Sequence, residues 1–572
     1  MKHHLLTLLW FVLCASVASA QSKREGAITG RVLGDDGRPV AGVEVGANRV
    51  GVKRGGEHSA VSDEEGRFQF NNLTPGVYTL DAGLPGFIVE GASRGGAVYR
   101  IGEQATIRLT KGGVITGRVT DETGDPLVAV WVLSRHVRRL EAHATESSLS
   151  DQELELRGRG GGATDDRGIY RIYGLPPGVH VVGVGVADWG DSSYLKHDAP
   201  TYYPSVPRDA AGEVTLRGSE EVLGIDIRHR GEPGRTLSGV IAGAVEASRH
   251  FSYMRVSLRS VEAGRFEAET GVHNSRAFVF SGVPDGEYEL HAMRPGGDDE
   301  AGARSLPRRV SLKGADLTGI ELKLLNFASI AGRVVVEPAA KKCGTDVRQS
   351  FVEEITLLAS SVEPKRGGDD IWSHWFRFGS VPEAKGDFTV WNLDAGRYFI
   401  TADLPDESWY VREISVPTAP PVAAKRTTAA AKKPAESAQH GIAVKSGEKL
   451  TGIELKIAEG AASLEGKVVP ANESAKSPNR IRVHLVPVEA DDFWRYAETM
   501  ADGDGALRFQ HLAPGKYWLL AKPAIEGEPD RPVAWDATAR AKLRREAEAA
   551  KNEIELQFCG RVKSHVTLRT GK

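Results

Sequence analysis

The residue types in this chain that could do chemistry fall into three patterns. His143-Ala144-Thr145-Glu146 has the His-x-x-Glu spacing of a zinc-ligand pair. It lies in a charged stretch, HVRRLEAHATESSLSDQELELRGRGGG, without a surrounding segment that would add a third ligand and a polarising Arg. Asp502-Gly503-Asp504-Gly505 has the look of a calcium loop, which needs six or more oxygens and a downstream bidentate Glu. The next residues, Ala506-Leu507-Arg508-Phe509, provide neither, and Asp63, Asp165 and Asp166 stand in equivalent turns, so these carboxylates are expected to organise backbone. HExxH, GxSxG and P-loop motifs are absent, and no segment singles out paired carboxylates for glycoside hydrolysis. No catalytic residue, metal ligand or cofactor is assigned.

The third pattern is aromatic. Trp372, Trp375, Phe376 and Phe378 crowd the segment IWSHWFRFG, with Trp391, Trp409 and Tyr410 close by, and Trp189, Tyr194, Tyr202 and Tyr203 form an earlier group. Exposed Trp and Tyr faces stack on the C–H faces of sugars. Trp372, Trp375, Trp391, Trp409 and Tyr410 are therefore the candidate carbohydrate-binding set. The competing reading is core packing, because strand alternation in WSHWFRF would bury half of it.

The elements that must position these residues announce themselves by repetition. An apolar residue, two spacers, Gly, a spacer and an aromatic recur as LTPGVY at Leu73, LPPGVH at Leu175, VPDGEY at Val283, LDAGRY at Leu393 and LAPGKY at Leu512. The anchors lie 102, 108, 110 and 119 residues apart, which makes the chain an array of five similar domains. The turn fits a tyrosine corner, whose phenol bonds to upstream backbone and pins a Greek-key crossover. Tyr78, Tyr288, Tyr398 and Tyr517 are structural in that reading, and His180 departs from it.

Around each corner run short alternating segments. ITGRVLGDDGRPVAGVEV from Ile28 and SDEEGRFQFNNLTPGVYTLDA from Ser62 read as hairpins with Gly/Pro turns, and ATIRL from Ala105 closes the unit. LTGIELKL at Leu317, LTGIELKI at Leu450 and LGIDIRH at Leu223 are later closing strands. The fold class is all-β: about five seven-stranded Greek-key sandwiches and a short C-terminal helix. The expected units are 26–112, 113–231 with a charged insert at 136–162, 232–326, 327–459 with a disordered insert at 417–439, and 460–572 with a helix at 535–551.

Lys2, His3 and His4 precede an apolar run from Leu5 to Val17, and Ala18-Ser19-Ala20 completes a secretory signal peptide over residues 1–20. The run is too short for a hydrocarbon core of about 30 Å, so no integral membrane segment is expected after cleavage. A net charge of −3 provides no field for gathering phosphates, and nucleic acid is not an expected partner. Cys343 and Cys559 remain after cleavage; an oxidising compartment permits a bridge, and the sequence leaves bridged and free states open.

GRVLGDDGRPVAGVEV with SDEEGRFQFNNLTPGVYTL, and their counterparts in the second repeat, resemble the carboxypeptidase regulatory-like domain. That family is a transthyretin-like seven-stranded sandwich grouped with carbohydrate-binding-like folds. The third repeat departs from its pattern by lacking the GxPVxG turn. In zinc carboxypeptidases the domain accompanies a catalytic domain, which is not recognisable here. The resemblance implies a secreted, non-catalytic binding or scaffold protein, periplasmic or at the cell surface, with polysaccharide or cell-wall glycan as ligand. The alternatives are a stalk or adhesin-type array whose partners are envelope proteins, or an accessory to an outer-membrane receptor.

Overall fold

The computed structural model describes Glu25 to Leu568 apart from residues 52–56, 91–96, 138–159, 187–194, 244–252, 274–275, 297–300, 340, 342, 344–348, 363–378, 418–434, 471–479, 490–491 and 525–531. The signal peptide, the His143–Glu146 pair and the IWSHWFRFG aromatics lie outside the described residues.

One strand arrangement recurs five times. The opening strand Gly26–Gly34 pairs antiparallel with Arg67–Leu73 and parallel with Gln104–Lys111. Gly113–Thr120 does the same with Ile169–Leu175 and with Glu221–Val222 and Ile227–Arg228. Arg235–Ala242, Ala328–Glu337 and Ala462–Val469 repeat the arrangement, with Leu317–Asn326, Lys449–Glu459 and Arg561–Thr567 as parallel partners. The parallel strands approach closely at one glycine. A Cβ on Gly117, Gly239, Gly332 or Gly466 would sit 2.0, 2.0, 2.1 or 2.0 Å from the carbonyl oxygen of Ile225, Ile320, Ile453 or Ser564. Only glycine admits that contact, which is why each opening strand carries Gly two or three residues into its apolar run.

A second sheet faces the first, built on the strand that follows each corner: Val77–Gly83, Gly178–Val184, Gly286–Arg294, Gly396–Asp403 and Gly515–Pro523. Alternate residues of both sheets point inward, and the five large hydrophobic cores each draw on one repeat's strands. In the third repeat the short strand Ala303–Ser305 pairs with both Gly286–Arg294 and Leu317–Asn326, so the two sheets join into one of eight strands. Among the described residues strand number also departs from seven in the first four repeats, because short strands such as Phe87–Val89 and Ala303–Ser305 are added.

Helix α1, Ala537–Ala550, is capped by the Asp536 carboxylate, which accepts from the backbone N–H groups of Thr538 and Ala539. Leu543 and Ala547 pack on Val486 and Leu520 of the last sandwich, as the thin apolar stripe of this segment predicts. The expectation of disorder over 417–439 fails at both ends: Ala435–Ser437 is a strand paired with Ser415–Pro417 at the edge of the fourth repeat's sheet, and Ala438 is buried, because the backbone hydrogen bonds of an open sheet edge are there to be completed.

Candidate functional site

The corners are built alike. The hydroxyls of Tyr78, Tyr288, Tyr398 and Tyr517 donate to the carbonyl oxygens of Thr74, Pro284, Asp394 and Ala513, each four residues upstream, at 2.8, 2.9, 3.1 and 2.6 Å. Burial pushes the Tyr288 and Tyr517 phenols above their ordinary range, so these donors keep their protons. In the second repeat His180 Nε2–H donates to the Pro176 carbonyl at 2.8 Å, also four residues back. That assignment leaves Nδ1 to accept from the Ser134 hydroxyl at 3.0 Å, with the His136 ring 5.1 Å away. Burial holds the His180 pKa at about 4, against the lesser opposing effect of the Pro176 hydrogen bond, and His136 adds to the depression. The imidazole is thus a neutral stand-in for the phenol.

The described members of the carbohydrate set do not form a platform. Trp409 is 6 % exposed and sits in the fourth core with Ile330, Val334 and Leu455, so its ring offers no face to a sugar; this corrects its place in the candidate set. Tyr410, the next residue on the strand, points to the opposite face. Trp391 lies on Asp387–Leu393, separated from Tyr410's strand by the two strands Ala328–Glu337 and Lys449–Glu459. Trp372 and Trp375 lie outside the described residues. The structure instead presents Trp131, 42 % exposed, with its indole lying over Gly161 at the hairpin partner strand. The sequence carried a signal for this in the run Gly160-Gly161-Gly162, which clears space for a flat ring.

Among the described residues histidine and carboxylate groups meet in three further places, one of them His291 Nε2 with Glu289 Oε1 at 2.9 Å, a pair within one strand that Arg309 joins from the neighbouring strand. His229 Nε2 lies 2.9 Å from Asp198 Oδ2 and its Nδ1 3.2 Å from Thr201 Oγ1, an Asp-His-Thr row. Thr201 is fully buried and His229 nearly so, and the row braces the chain segment that carries Asp198. Glu498 lies 3.3 Å from Arg482 and 3.5 Å from His484 and accepts from the Val533 N–H at 3.0 Å. Despite its burial, these neighbours hold its carboxyl below the ordinary range. Among the described residues no group of three His, Cys, Asp or Glu side chains could hold a metal ion. The Asp turns organise backbone: Asp63 Oδ1 accepts from the N–H groups of Glu65 and Arg67, Asp165 Oδ1 from those of Arg167 and Ile169, and Asp504 Oδ1 from that of Ala506.

The most regular construction in the molecule is the junction between repeats. The residue just before each corner's apolar anchor is left-handed: Asn72, Gly174, Gly282, Asn392 and His511, with φ of 58°, 72°, 70°, 61° and 56°. Each marks a bulge where the return strand slips register on the opening strand. In four repeats this residue meets the preceding repeat. Gly174 lies against Gly86 and Gly112, and Gly282 lies under the carbonyls of Lys196 and Asp198. Asn392 Oδ1 accepts from the Gly302 N–H at 2.6 Å, and His511 Nδ1–H donates to the Trp409 carbonyl at 2.9 Å. The linker residues complete the joint, with N–H groups of Gly112, Gly234, Phe327 and Gly460 donating to the carbonyls of Gly86, His197, Gly302 and Ser408.

Further contacts brace the array, among them Arg135 of the second repeat, which donates to the Phe266 and Glu267 carbonyls of the third. Arg100 of the first repeat donates from Nε to the Glu354 carbonyl at 2.9 Å, pairs with Asp403, and Phe351 packs on the first core, so the first repeat touches the fourth. Cys343 and Cys559 form a disulfide between the fourth and fifth repeats, where Phe399 stacks between Phe493 and Trp535 at 5.5 and 4.6 Å. An isolated Arg and an isolated Cys carry no pairing information in sequence, and neither partner of Arg100 could be found there.

Residues 27–110 match the sequence profile of the carboxypeptidase regulatory-like domain, which the first sandwich therefore carries. None of the curated proteins matches the chain. Among solved structures, the TIE protein of Bacillus anthracis is 13 % identical over 52 % of this chain and 51 % of its own, with a TM-score of 0.14. The minor pilin GBS52 of Streptococcus agalactiae is 14 % identical over 36 % of this chain and 96 % of its own, with a TM-score of 0.18. The full-length major pilin SpaD of Corynebacterium diphtheriae is 10 % identical over 54 % and 99 %, with a TM-score of 0.15. The chain spans about half the length of the first of these. No helix among the described residues is long and apolar enough to cross a membrane.

Proposed function

We propose that this chain is a non-catalytic scaffold of the cell envelope, a braced array of sandwiches that holds partner macromolecules at fixed positions. The observation that carries the reading is the shared junction: four successive boundaries use the same left-handed bulge and the same linker hydrogen bond, and the first repeat then folds back on the fourth through Arg100. Such a chain spends its polar groups on holding shape. The fold-back argues against the extended stalk, which would leave the first and fourth repeats apart. In this reading the units run 26–112, 113–231, 232–326, 327–459 and 460–572, meeting near the linker residues Gly112, Gly234, Phe327 and Gly460.

The Cys343–Cys559 bridge supports an oxidising compartment, in keeping with a signal peptide at residues 1–20 and a secreted, periplasmic or surface location. The scaffold reading is tested by sedimentation of gently solubilised envelopes. The chain is expected in an assembly well above its own mass, and migration only as a monomer would refute the reading.

Carbohydrate binding is the second reading, and Trp131 is the observation that favours it. Its exposed indole on a glycine floor has the form of a sugar-stacking surface. A polysaccharide panel followed by tryptophan fluorescence tests this. A saturable response lost in Trp131→Ala would support it, and no response to any glycan would remove it.

A further inference from the structure

The first sandwich reaches the fourth with no chain link nearby, since Arg100 and Glu354 lie 254 residues apart. Among the described residues no strand of one pairs with a strand of the other. The contact runs through Arg100, whose Nε–H donates to the Glu354 carbonyl and whose guanidinium pairs with Asp403. Phe351 on the first core and the turn at Gly51 beside Val381 add to it. Arg100 is buried, but the Asp403 side chain is 57 % exposed, so water and salt reach the pair. Arg100 also has a second carboxylate within its own sandwich. Glu103 Oε1 stands 3.9 Å from its Nη1, and Glu103 Oε2 accepts the Arg100 backbone N–H at 3.0 Å. Release from the fourth sandwich therefore leaves the guanidinium beside a counter-charge rather than alone.

The joint between the first and second sandwiches is the barest of the four. Gly174 meets Gly86 and Gly112 there, the Gly112 N–H donates to the Gly86 carbonyl, and among the described residues no side-chain hydrogen bond crosses it. The later joints carry side-chain ties: Arg135 to the Phe266 and Glu267 carbonyls, Asn392 to Gly302 with Arg304 to Asp394, and His511 with the disulfide. Glycines free of such ties absorb backbone rotation at least cost, as a hinge requires. We infer that the fold-back is a salt-sensitive latch with two states. Closed, Arg100 is held by the fourth sandwich. Open, its guanidinium rests on Glu103, and the first sandwich turns about the glycine joint and uncovers Phe351. This goes beyond the scaffold reading by giving the array a control over its own shape.

The test is single-molecule energy transfer on the purified full chain, with the dye pair carried by Glu44→p-azidophenylalanine and Lys385→p-azidophenylalanine, exposed positions on the two sandwiches. Salt is raised from about 0.01 M, where the screening length is about 30 Å, to about 1 M, where it is about 3 Å. A high-transfer population should give way to a low-transfer one, and Arg100→Gln should favour the low-transfer one at every salt. Asp403→Asn should raise the open-to-closed ratio and Glu103→Gln lower it, each by up to about fivefold, the most that an ion pair open to water contributes. Both variants remove a carboxylate beside the same guanidinium, so opposite shifts do not come from a general loss of stability. One high-transfer population at every salt, in the unaltered chain and in Arg100→Gln alike, overturns the latch, and so does a shift of both carboxylate variants in the same direction. Sedimentation decides the scaffold reading separately: a large assembly with fixed transfer keeps the scaffold and removes the latch.

Discussion

Acid should loosen the second sandwich before the others, through His180. The imidazole is fully buried, donates from Nε2 to Pro176 and accepts at Nδ1 from Ser134, and its pKa falls from 6.5 to about 4. A folded-state value below the unfolded one means that the unfolded chain binds the proton more readily. The stability this group contributes is therefore complete above about pH 6.5 and is lost as pH falls toward 4. The whole displacement corresponds to roughly 3 kcal/mol, and the part lost between pH 7 and pH 5 is about 2 kcal/mol, or near thirtyfold in the opening equilibrium. The groups facing His180 do not cancel this: Ser134 and the Pro176 carbonyl do not titrate in the range, and His136, 5.1 Å away, opposes protonation. The assay is amide hydrogen exchange resolved by segment, corrected for the intrinsic pH dependence of exchange. Opening free energies for Trp131–Val137 and Gly178–Val184 should fall between pH 7 and pH 5, while those for Gly26–Gly34 in the first sandwich, which has Tyr78 at its corner, should not. His180→Tyr should flatten the difference whatever it does to baseline stability. An equal loss in both sandwiches, or a slope that survives His180→Tyr, would refute the reasoning.

Four further perturbations follow from the repeated geometry. Tyr517→Phe removes the donor to Ala513 and the acceptor of the Arg495 Nε–H at 3.2 Å, so the fifth sandwich should lose about 1–3 kcal/mol by denaturant unfolding, more than Tyr78→Phe costs the first. Gly466→Ala forces a methyl to within 2.0 Å of the Ser564 carbonyl, and segment-resolved exchange should show the Ala462–Val469 and Arg561–Thr567 pair weakened by about 1–3 kcal/mol. Arg276 holds a φ of 55° where Gly66, Gly168, Gly386 and Gly505 stand in the other repeats, each with its carbonyl receiving the opening strand's N–H; Arg276→Gly should stabilise the third sandwich by about 0.5 kcal/mol in the same exchange assay. Cys343→Ser with Cys559→Ser opens a cross-link spanning 216 residues, and calorimetry should show a lower unfolding midpoint for the fourth and fifth sandwiches, with a cost of at most about 5 kcal/mol.

Local chemistry wrote the sandwiches into the sequence. Alternation of apolar residues, glycine in the opening strand and the corner motif act over a few residues, and each repeat's pattern gives its own strands and core. Trp409's place in the aromatic set misled for the same reason that alternation informs. Trp409 and Tyr410 are neighbours in sequence, but a strand turns neighbours to opposite faces, and only the packed sheet decides which face meets water. Trp131 was legible only against Gly161, some thirty residues away, because a flat exposed ring depends on the absence of a side chain across the hairpin.

By itself, then, the sequence determined five corner-pinned sandwiches, their order and the capped helix, since those rest on short-range periodicity and turn stereochemistry. Tertiary structure alone decided that the residue before each corner is a joint, that the cysteines bridge, and that Arg100 reaches Glu354 and Asp403 across more than two hundred residues. The physical reason is that a joint is a relation between two surfaces. Asn72 and Asn392 are the same residue in the same motif, and only the packing around Asn392 makes it a contact with the preceding repeat.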